Sequence, residues 1–101
     1  MVIPKEIIQD EFSAQYEEIN IWLKDEALSI ETDYQNKNNP LRHIRNAIAH
    51  ARVEFQPHDL VIFRDKNQRG NTFELKLSLT RVGELIRRLK HIHRAYVAER
   101  S

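Results

Sequence analysis

Apolar side chains recur at intervals of three and four residues through the first third of the chain. The positions that follow this spacing are Ile8, Phe12, Tyr16, Ile19, Leu23, Ala27 and Ile30. Such a period is typical of a helix with one apolar face, and no Pro or Gly interrupts residues 5–31. The pattern therefore predicts one long helix over residues 4–31.

A second helical pattern follows a polar loop, residues 32–39. Asn39 is a favourable N-cap, and Pro40 suits the first helical position because its missing N–H has no partner there. The apolar positions of this segment are Leu41, Ile44, Ile48 and Ala51. We expect a helix over residues 40–51 that packs antiparallel on the first helix, because the connecting loop is short.

The second helix also carries a polar stripe on a different face. Its members are Arg42, Arg45, Asn46, Ala49 and His50, which recur at helical spacing. A face that only meets solvent more often carries Glu and Lys. Two arginines, an amide and an imidazole around a small alanine instead indicate groups held close to a partner surface.

The hydrophobic period shortens to two residues after Arg52. Alternation of apolar and polar residues predicts three strands, residues 53–55, 60–64 and 72–78. Polar turn sequences separate these segments, so that consecutive strands can pair antiparallel. The sequence therefore predicts a small antiparallel β-meander.

A helical period returns near Thr80, with an apolar face and a basic face over residues 80–97. With 101 residues the chain is long enough for one domain with one core. We expect a single domain, residues 1–101, of mainly α class (α+β). Its predicted order is an antiparallel helical hairpin, a β-meander insert and a C-terminal helix.

The composition is that of an ordinary soluble protein, with 41% hydrophobic and 31% charged residues. There is no Cys, which excludes disulfides, thiolate metal sites and a cysteine nucleophile. The sequence shows no signal-peptide pattern and no apolar run of membrane-spanning length. We expect a cytoplasmic protein that does not enter a membrane.

The net charge of +1 conceals two segments of opposite sign. Residues 1–34 hold two lysines against nine acids, a balance of −7, whereas residues 35–101 hold fourteen Lys and Arg against six acids, a balance of +8. A basic body is compatible with a phosphate-bearing partner. The two segments can equally pair with each other inside one domain.

The segment Arg45-Asn46-Ala47-Ile48-Ala49-His50 resembles the active motif of the HEPN superfamily. That motif is an Arg, often followed by a polar residue, and then a His after four to six intervening residues, on a helix that follows a long first helix. The spacing alone carries little weight, since Arg88 and His93 have it too. The Asn and the small alanines of the segment distinguish it from that second pair.

The resemblance implies a function and an assembly. Members of the superfamily are largely metal-independent ribonucleases that act as toxins or defence effectors, and some have lost activity. It implies a homodimer that cleaves RNA at a composite site on the dimer interface, with Arg45 and His50 catalytic. RNA and a second copy of the chain are then the expected partners, and an antitoxin protein is a further one if the chain is a toxin.

The residue types fit such chemistry. His can act as acid or base near neutral pH, and the planar fork of Arg matches phosphate oxygens. Asn46 is expected to orient His50, its neighbour at i+4, or to hold a phosphate, and Arg42 and Arg52 to guide RNA. We expect no cofactor and no metal, because the histidines show no ligand spacing.

Two alternatives remain open from the sequence. The domain can be a non-catalytic module of the same fold that binds RNA or a nucleotide, or a purely structural dimerisation domain. In a structural role, His50 would be a cation favoured by the helix dipole, and Arg42 and Arg45 would pair with acids of the first helix.

Overall fold

The computed structural model describes the backbone of residues 5–100 and the side chains of residues 14–94. The described chain contains three helices and a four-stranded antiparallel sheet, an α+β fold. The helices are α1 (Lys5–Glu26), α2 (Pro40–Ala49) and α3 (Leu79–Arg100), and the strands are β1 (Ser29–Thr32), β2 (Val53–Gln56), β3 (Leu60–Lys66) and β4 (Thr72–Ser78). Within the described residues no helix is both long and apolar enough to cross a membrane.

The first helix ends earlier than its hydrophobic period predicts. The chain leaves α1 after Glu26, and β1 pairs antiparallel with β4, with Ile30 opposite Leu75. The prediction of helix through residue 31 is therefore wrong. Ala27 and Ile30 still pack on the core, but β1 also gives the edge of β4 a hydrogen-bonding partner, which an isolated segment cannot reveal.

The sheet has the strand order β1-β4-β3-β2. β2, β3 and β4 pair antiparallel in chain order at the predicted places. The predicted three strands are thus extended by a fourth at the β4 edge. Because β1 lies between α1 and α2 in the chain, these helices are not joined by the simple loop expected of a two-helix hairpin.

The core lies between the helices and one face of the sheet. β3 and β4 alternate, so that Val61 and Phe63 point with Leu75 and Leu77 toward the helices. The helices contribute Ile19, Leu23, Leu41, Ile44, Ala47, Leu85 and Ile92. Each large apolar side chain buried in this way stabilises the fold by about 1.5–3 kcal/mol.

The buried face of α2 differs from the predicted one at its C-terminal end. Leu41 and Ile44 are buried as expected, but the next buried residue is Ala47, whereas Ile48 is 60% exposed. α2 also ends at Ala49 rather than near residue 51. The prediction that the apolar stripe includes Ile48 and Ala51 is therefore wrong over this last turn, because the buried face passes through Ala47 and Ala51 lies beyond the end of the helix.

The end of α2 is a closed turn. The N–H of Ala51 donates to the carbonyl of Ile48 at 3.2 Å, and the N–H of Arg52 donates to the carbonyl of Ala47 at 2.7 Å. This pair of bonds is the Schellman arrangement, which requires a left-handed residue after the cap; Ala51 supplies it with φ 54°. The turn directs the chain from the helix into β2.

Candidate functional site

The N-terminal half of α2 is fixed to α1 through two asparagines. Asn39 Oδ1 accepts a hydrogen bond from the N–H of Arg42 at 3.3 Å, as predicted for an N-cap, and another from Asn20 Nδ2 at 3.2 Å. Asn20 Oδ1 in turn accepts from the N–H of Leu41 at 2.9 Å. The start of α2 is therefore a rigid reference point for the side chains that follow.

Arg45 lies on the exposed C-terminal half of α2, and His50 is the exposed residue directly after the helix. The guanidinium of Arg45 lies 5.0 Å from the ring centroid of Tyr16 on α1, a cation–π contact. His50 caps the helix, and its N–H donates to the carbonyl of Asn46 at 2.9 Å. Neither side chain belongs to the core, so both are available to a partner or a substrate.

The side chain of Asn46 turns to the sheet rather than to the side chain of His50. Its Nδ2 donates to Asp65 Oδ2 on β3 at 3.1 Å. The structure therefore places Asn46 away from one of its two expected roles, the orientation of His50. Asn46 still lines the cleft that contains His50, so contact with a phosphate remains open to it.

A buried His43–Asp65 pair lies next to these residues and was not predicted. Nδ1 of His43 lies 2.8 Å from Oδ2 of Asp65, and the two side chains are only 12% and 6% exposed. The imidazole is held between two aromatic rings, stacked on Phe73 and tilted against Tyr34, each with its centroid 4.5 Å away. Three covered sides of the ring fix its orientation.

The electrostatics of this pair are set by burial and by hydrogen bonds. Burial raises the pKa of Asp65, but hydrogen bonds from His43, Asn46 and the backbone N–H of Lys66 outweigh that effect and hold the pKa below its usual value. Burial, with the charge of Asp65, raises the pKa of the Tyr34 phenol. At neutral pH Asp65 is therefore an anion and Tyr34 is neutral.

A small polar cleft of about 300 Å³ brings several of these residues together. It is lined by Tyr34, Asn36, Asn39, Arg42, His43, Asn46, His50, Asp65, Lys66 and Asn67. The predicted residues Arg42, Asn46 and His50 thus meet in one cleft. Cationic, amide and imidazole groups around a volume of this size suit a phosphate group with part of a nucleotide.

Two of the predicted site residues lie elsewhere. Arg45 contacts Tyr16 and is not among the described residues that line the cleft. Arg52 lines a larger groove of about 800 Å³ at the sheet, which also contains Glu31, Glu54 and Glu74. Within one chain, His50 therefore shares a cleft with Arg42 but not with Arg45 or Arg52.

A pattern in the sequence could have identified His43 as a site residue, but no pattern identifies Asp65. His43, Asn46 and His50 are related by three and seven positions, a helical spacing that places them on one face. Asp65 lies in a strand that reads as apolar, and its side chain takes the inward position of the β3 alternation. Only the packing of α2 on β3 shows that this inward carboxylate has a histidine partner.

A helical domain with an Arg–x4–His motif on the helix after a long first helix is the class that the HEPN superfamily defines. The sequence profile of one family, HEPN pEK499 p136, matches residues 1–100 of the chain. The chain belongs to this family, and membership supports a nuclease or other RNA-related role at the level of the family. No curated protein and no solved structure shows a significant match to it.

Proposed function

We propose that the protein is a metal-independent endoribonuclease of HEPN type, which acts in the cytoplasm as a toxin or antiviral effector. The observation that carries the proposal is the Arg45–His50 motif, which lies on an exposed helix face in a chain that belongs to a HEPN family. Both side chains lie outside the core, so packing in the core does not explain their presence.

The chemistry is transfer of the phosphodiester to the neighbouring 2′-oxygen. A base removes the proton of the 2′-hydroxyl, the 2′-oxygen bonds to phosphorus, and the bond to the 5′-oxygen breaks as an acid protonates it. The products are a 2′,3′-cyclic phosphate and a 5′-hydroxyl. His50 is one of the proton-transfer groups, and Arg45 stabilises the extra negative charge on phosphorus.

A homodimer accounts for the separation of the two motif residues. Within one chain Arg45 faces Tyr16, while His50 faces the cleft. A two-fold partner would place its own Arg45 and His50 at the same seam. Ala49, which is small and exposed, and Ile48, which is apolar and exposed, support a close contact between α2 helices at this place.

Basic residues offer a path for RNA. Arg42 and Lys66 line the cleft beside His50, and both are exposed. Exposed cations on α3 extend this charge: Arg87, Arg88, Lys90 and Arg94. Phosphate contacts of this kind supply affinity without sequence preference, so the proposal does not include an RNA sequence.

A non-catalytic binding module is the second candidate. Its support is that two motif side chains already have partners inside the chain: Arg45 contacts Tyr16, and Asn46 donates to Asp65. In that case the cleft would hold a nucleotide without cleaving it. An antitoxin protein would be a partner only under the first proposal.

The test is cleavage of a labelled RNA by the purified protein with and without EDTA. We expect the wild type to cleave in both conditions, and His50→Ala and Arg45→Ala each to lose at least about 10²-fold in rate with unchanged thermal melting. His93→Ala, which changes a histidine of the same spacing on α3, is the control. Loss of cleavage in His93→Ala but not in His50→Ala would show that the catalytic histidine lies on α3 and not at the end of α2.

RNA binding separates the remaining possibilities. If the wild type binds RNA without cleaving it, the binding module is correct. If it neither binds nor cleaves RNA, the domain is structural. Melting well below the wild type in both alanine variants would likewise identify Arg45 and His50 as structural residues.

A further inference from the structure

We infer that His43, held by Asp65, is a second proton-transfer group of the cleavage site and works with His50 across the cleft of the same chain. This inference rests on the proposed function. It assigns the second acid–base role to a residue of the same chain outside the Arg45–His50 motif, so that a two-fold partner is needed for its Arg45 and not for its His50.

The first support is the way in which the imidazole of His43 is fixed. Asp65 Oδ2 lies 2.8 Å from Nδ1, Phe73 stacks on the imidazole, and Tyr34 packs against it at a tilt. Because Asp65 is ionised and accepts hydrogen bonds only, Nδ1 carries a proton and donates it to the carboxylate. The other nitrogen, Nε2, is then the one that can exchange a proton with a substrate.

The second support is that Nε2 is not fully enclosed. Within the described part of the chain, Nε2 of His43 makes no hydrogen bond, yet it is not among the buried polar atoms that lack a partner. Its ring lines the cleft. A histidine needed only to fill space would have no reason to leave this nitrogen open to the same cleft as His50.

The third support is the position of His43 relative to His50. The two residues are seven positions apart, His43 in α2 and His50 at its C-cap, which corresponds to about 10 Å along the helix axis. Both line the one cleft of about 300 Å³, together with the cations Arg42 and Lys66. A phosphodiester between the two imidazoles would have one at its attacking side and the other at its leaving side, as in-line displacement requires.

The reaction balances with these two groups alone. One histidine takes the proton of the 2′-hydroxyl as the bond from the 2′-oxygen to phosphorus forms. The other gives a proton to the 5′-oxygen as its bond to phosphorus breaks. Each histidine ends in the protonation state in which the other began, and exchange with water restores both.

The charged and titratable groups that face His43 come from three segments. Asp65 and Lys66 lie on β3, Arg42 on α2 and His50 at its C-cap, and Tyr34 on the loop between β1 and α2. Asp65 is the carboxylate in direct contact with the imidazole. The pH profile of a His43 variant must therefore be compared with that of a control variant in which all five of these groups are unchanged.

His43→Asn is the sharpest variant. The amide nitrogen of Asn can replace Nδ1 as the donor to Asp65, but no atom replaces Nε2. We expect kcat for RNA to fall at least about 10²-fold with KM little changed, and one limb of the bell-shaped pH profile to disappear. His93→Asn makes the same substitution at an exposed position of α3 and should leave both measurements unchanged.

An RNA with sulfur in place of the bridging 5′-oxygen assigns the two roles. A thiolate leaves without an acid, so the variant that lacks the acid should recover most of its lost rate, while the variant that lacks the base should not. We expect recovery for one of His43→Asn and His50→Ala and none for the other. Equal ratios of the two substrates in both variants would overturn the proposed division of roles.

Cleavage by His43→Asn within about threefold of the wild type, or a loss that keeps both limbs of the pH profile, would refute the role of His43. The proposed function would still stand if the wild type cleaves and His50→Ala does not. A wild type that does not cleave RNA would refute the proposed function itself.

If His43→Asn fails to fold, ¹⁵N NMR of the wild type decides. Binding of a 2′-deoxy dinucleotide should change the ¹⁵N chemical shift of Nε2 of His43, and no change would overturn the inference.

Discussion

Two concave surfaces meet near the turn after α2; they share Asp65 and Lys66 but differ in size and in charge. The small cleft contains His50, and the larger groove at the sheet contains Arg52, only two residues further on. In the groove, Arg64 is already paired with Glu54 at 2.6 Å and Glu74 at 3.1 Å. The larger surface therefore pairs one of its three cations internally, and its carboxylates outnumber its cations.

The small cleft has the opposite balance. Its carboxylate, Asp65, is buried and committed to His43 and Asn46. Arg42 and Lys66 form no ion pair within the described residues, and both reach solvent. The candidate site therefore combines exposed cations with one fixed imidazole, that of His43, whereas volume alone would select the groove.

The largest effect on stability is expected for the buried carboxylate of Asp65, and the partly exposed carboxylate of Glu74 is the comparison. Asp65→Ala should lower the free energy of unfolding by about 3 kcal/mol, because it leaves the buried groups of His43 and Asn46 without their acceptor. Glu74→Ala, which breaks a partly exposed pair with Arg64, should cost less than about 1 kcal/mol. Urea denaturation of both variants measures the difference, and equal losses would contradict the contrast.

The pH dependence of stability follows from the same carboxylate. The pKa of Asp65 is lower in the folded protein than in the unfolded chain, so its stabilising contribution is complete above the unfolded value of about 4. It is lost as the pH falls through the folded value. The acid limb of a stability–pH curve should therefore be shallower in Asp65→Asn than in the wild type, and parallel curves would contradict this.

The next prediction tests whether the exposed side of α2 is a dimer seam. Ala49→Trp should overfill a close helix contact and weaken the dimer by about 2 kcal/mol, roughly 30-fold in its dissociation constant. Gln68→Trp, on the exposed loop between β3 and β4, is the matched control. Analytical ultracentrifugation gives the result, and a wild type that is monomeric at high concentration would remove the composite dimer site.

Much of this arrangement followed from local sequence patterns. Asn39 and Pro40 predict the start of α2 from capping chemistry, and the alternation of Phe73, Leu75 and Leu77 predicts β4 from burial of one face. The pair Arg45 and His50 followed from the family motif. These features depend on residues that are near one another in the chain.

The features that sequence reasoning missed depend on distant partners. The sequence predicts helix at β1 because Ala27 and Ile30 continue the helical period, and only pairing with the edge of β4 selects the strand. Asp65 was missed because its partner His43 lies on another element. The period predicts that Ile48 shares the apolar stripe of Leu41 and Ile44, but only the packing of α2 shows that Ala47 takes the buried position instead.

A smaller effect separates the two arginines that were expected to guide RNA. Arg42→Ala should raise KM for RNA by about fivefold, since it removes an available cation beside His50, a change of roughly 1 kcal/mol. Arg52→Ala should have little effect, because its groove is rich in carboxylates. Michaelis–Menten kinetics at low salt measure both, and a larger effect from Arg52 would make the groove the RNA path.

The smallest predicted effect concerns the turn that divides the two surfaces. Ala51 adopts φ 54°, a left-handed conformation that is costly for a residue with a Cβ and free for Gly. Ala51→Gly should therefore relieve this strain, and after the entropy cost of Gly in the unfolded chain the gain should be about 0.5 kcal/mol. For a domain of this size that corresponds to about 3 °C in Tm.

Ala14→Gly, in the interior of α1, should lower Tm instead, because Gly destabilises a helix by about 0.5–1 kcal/mol relative to Ala. Differential scanning calorimetry of the two variants should show shifts of opposite sign, and a decrease in both would mean that the turn after α2 does not need a left-handed residue.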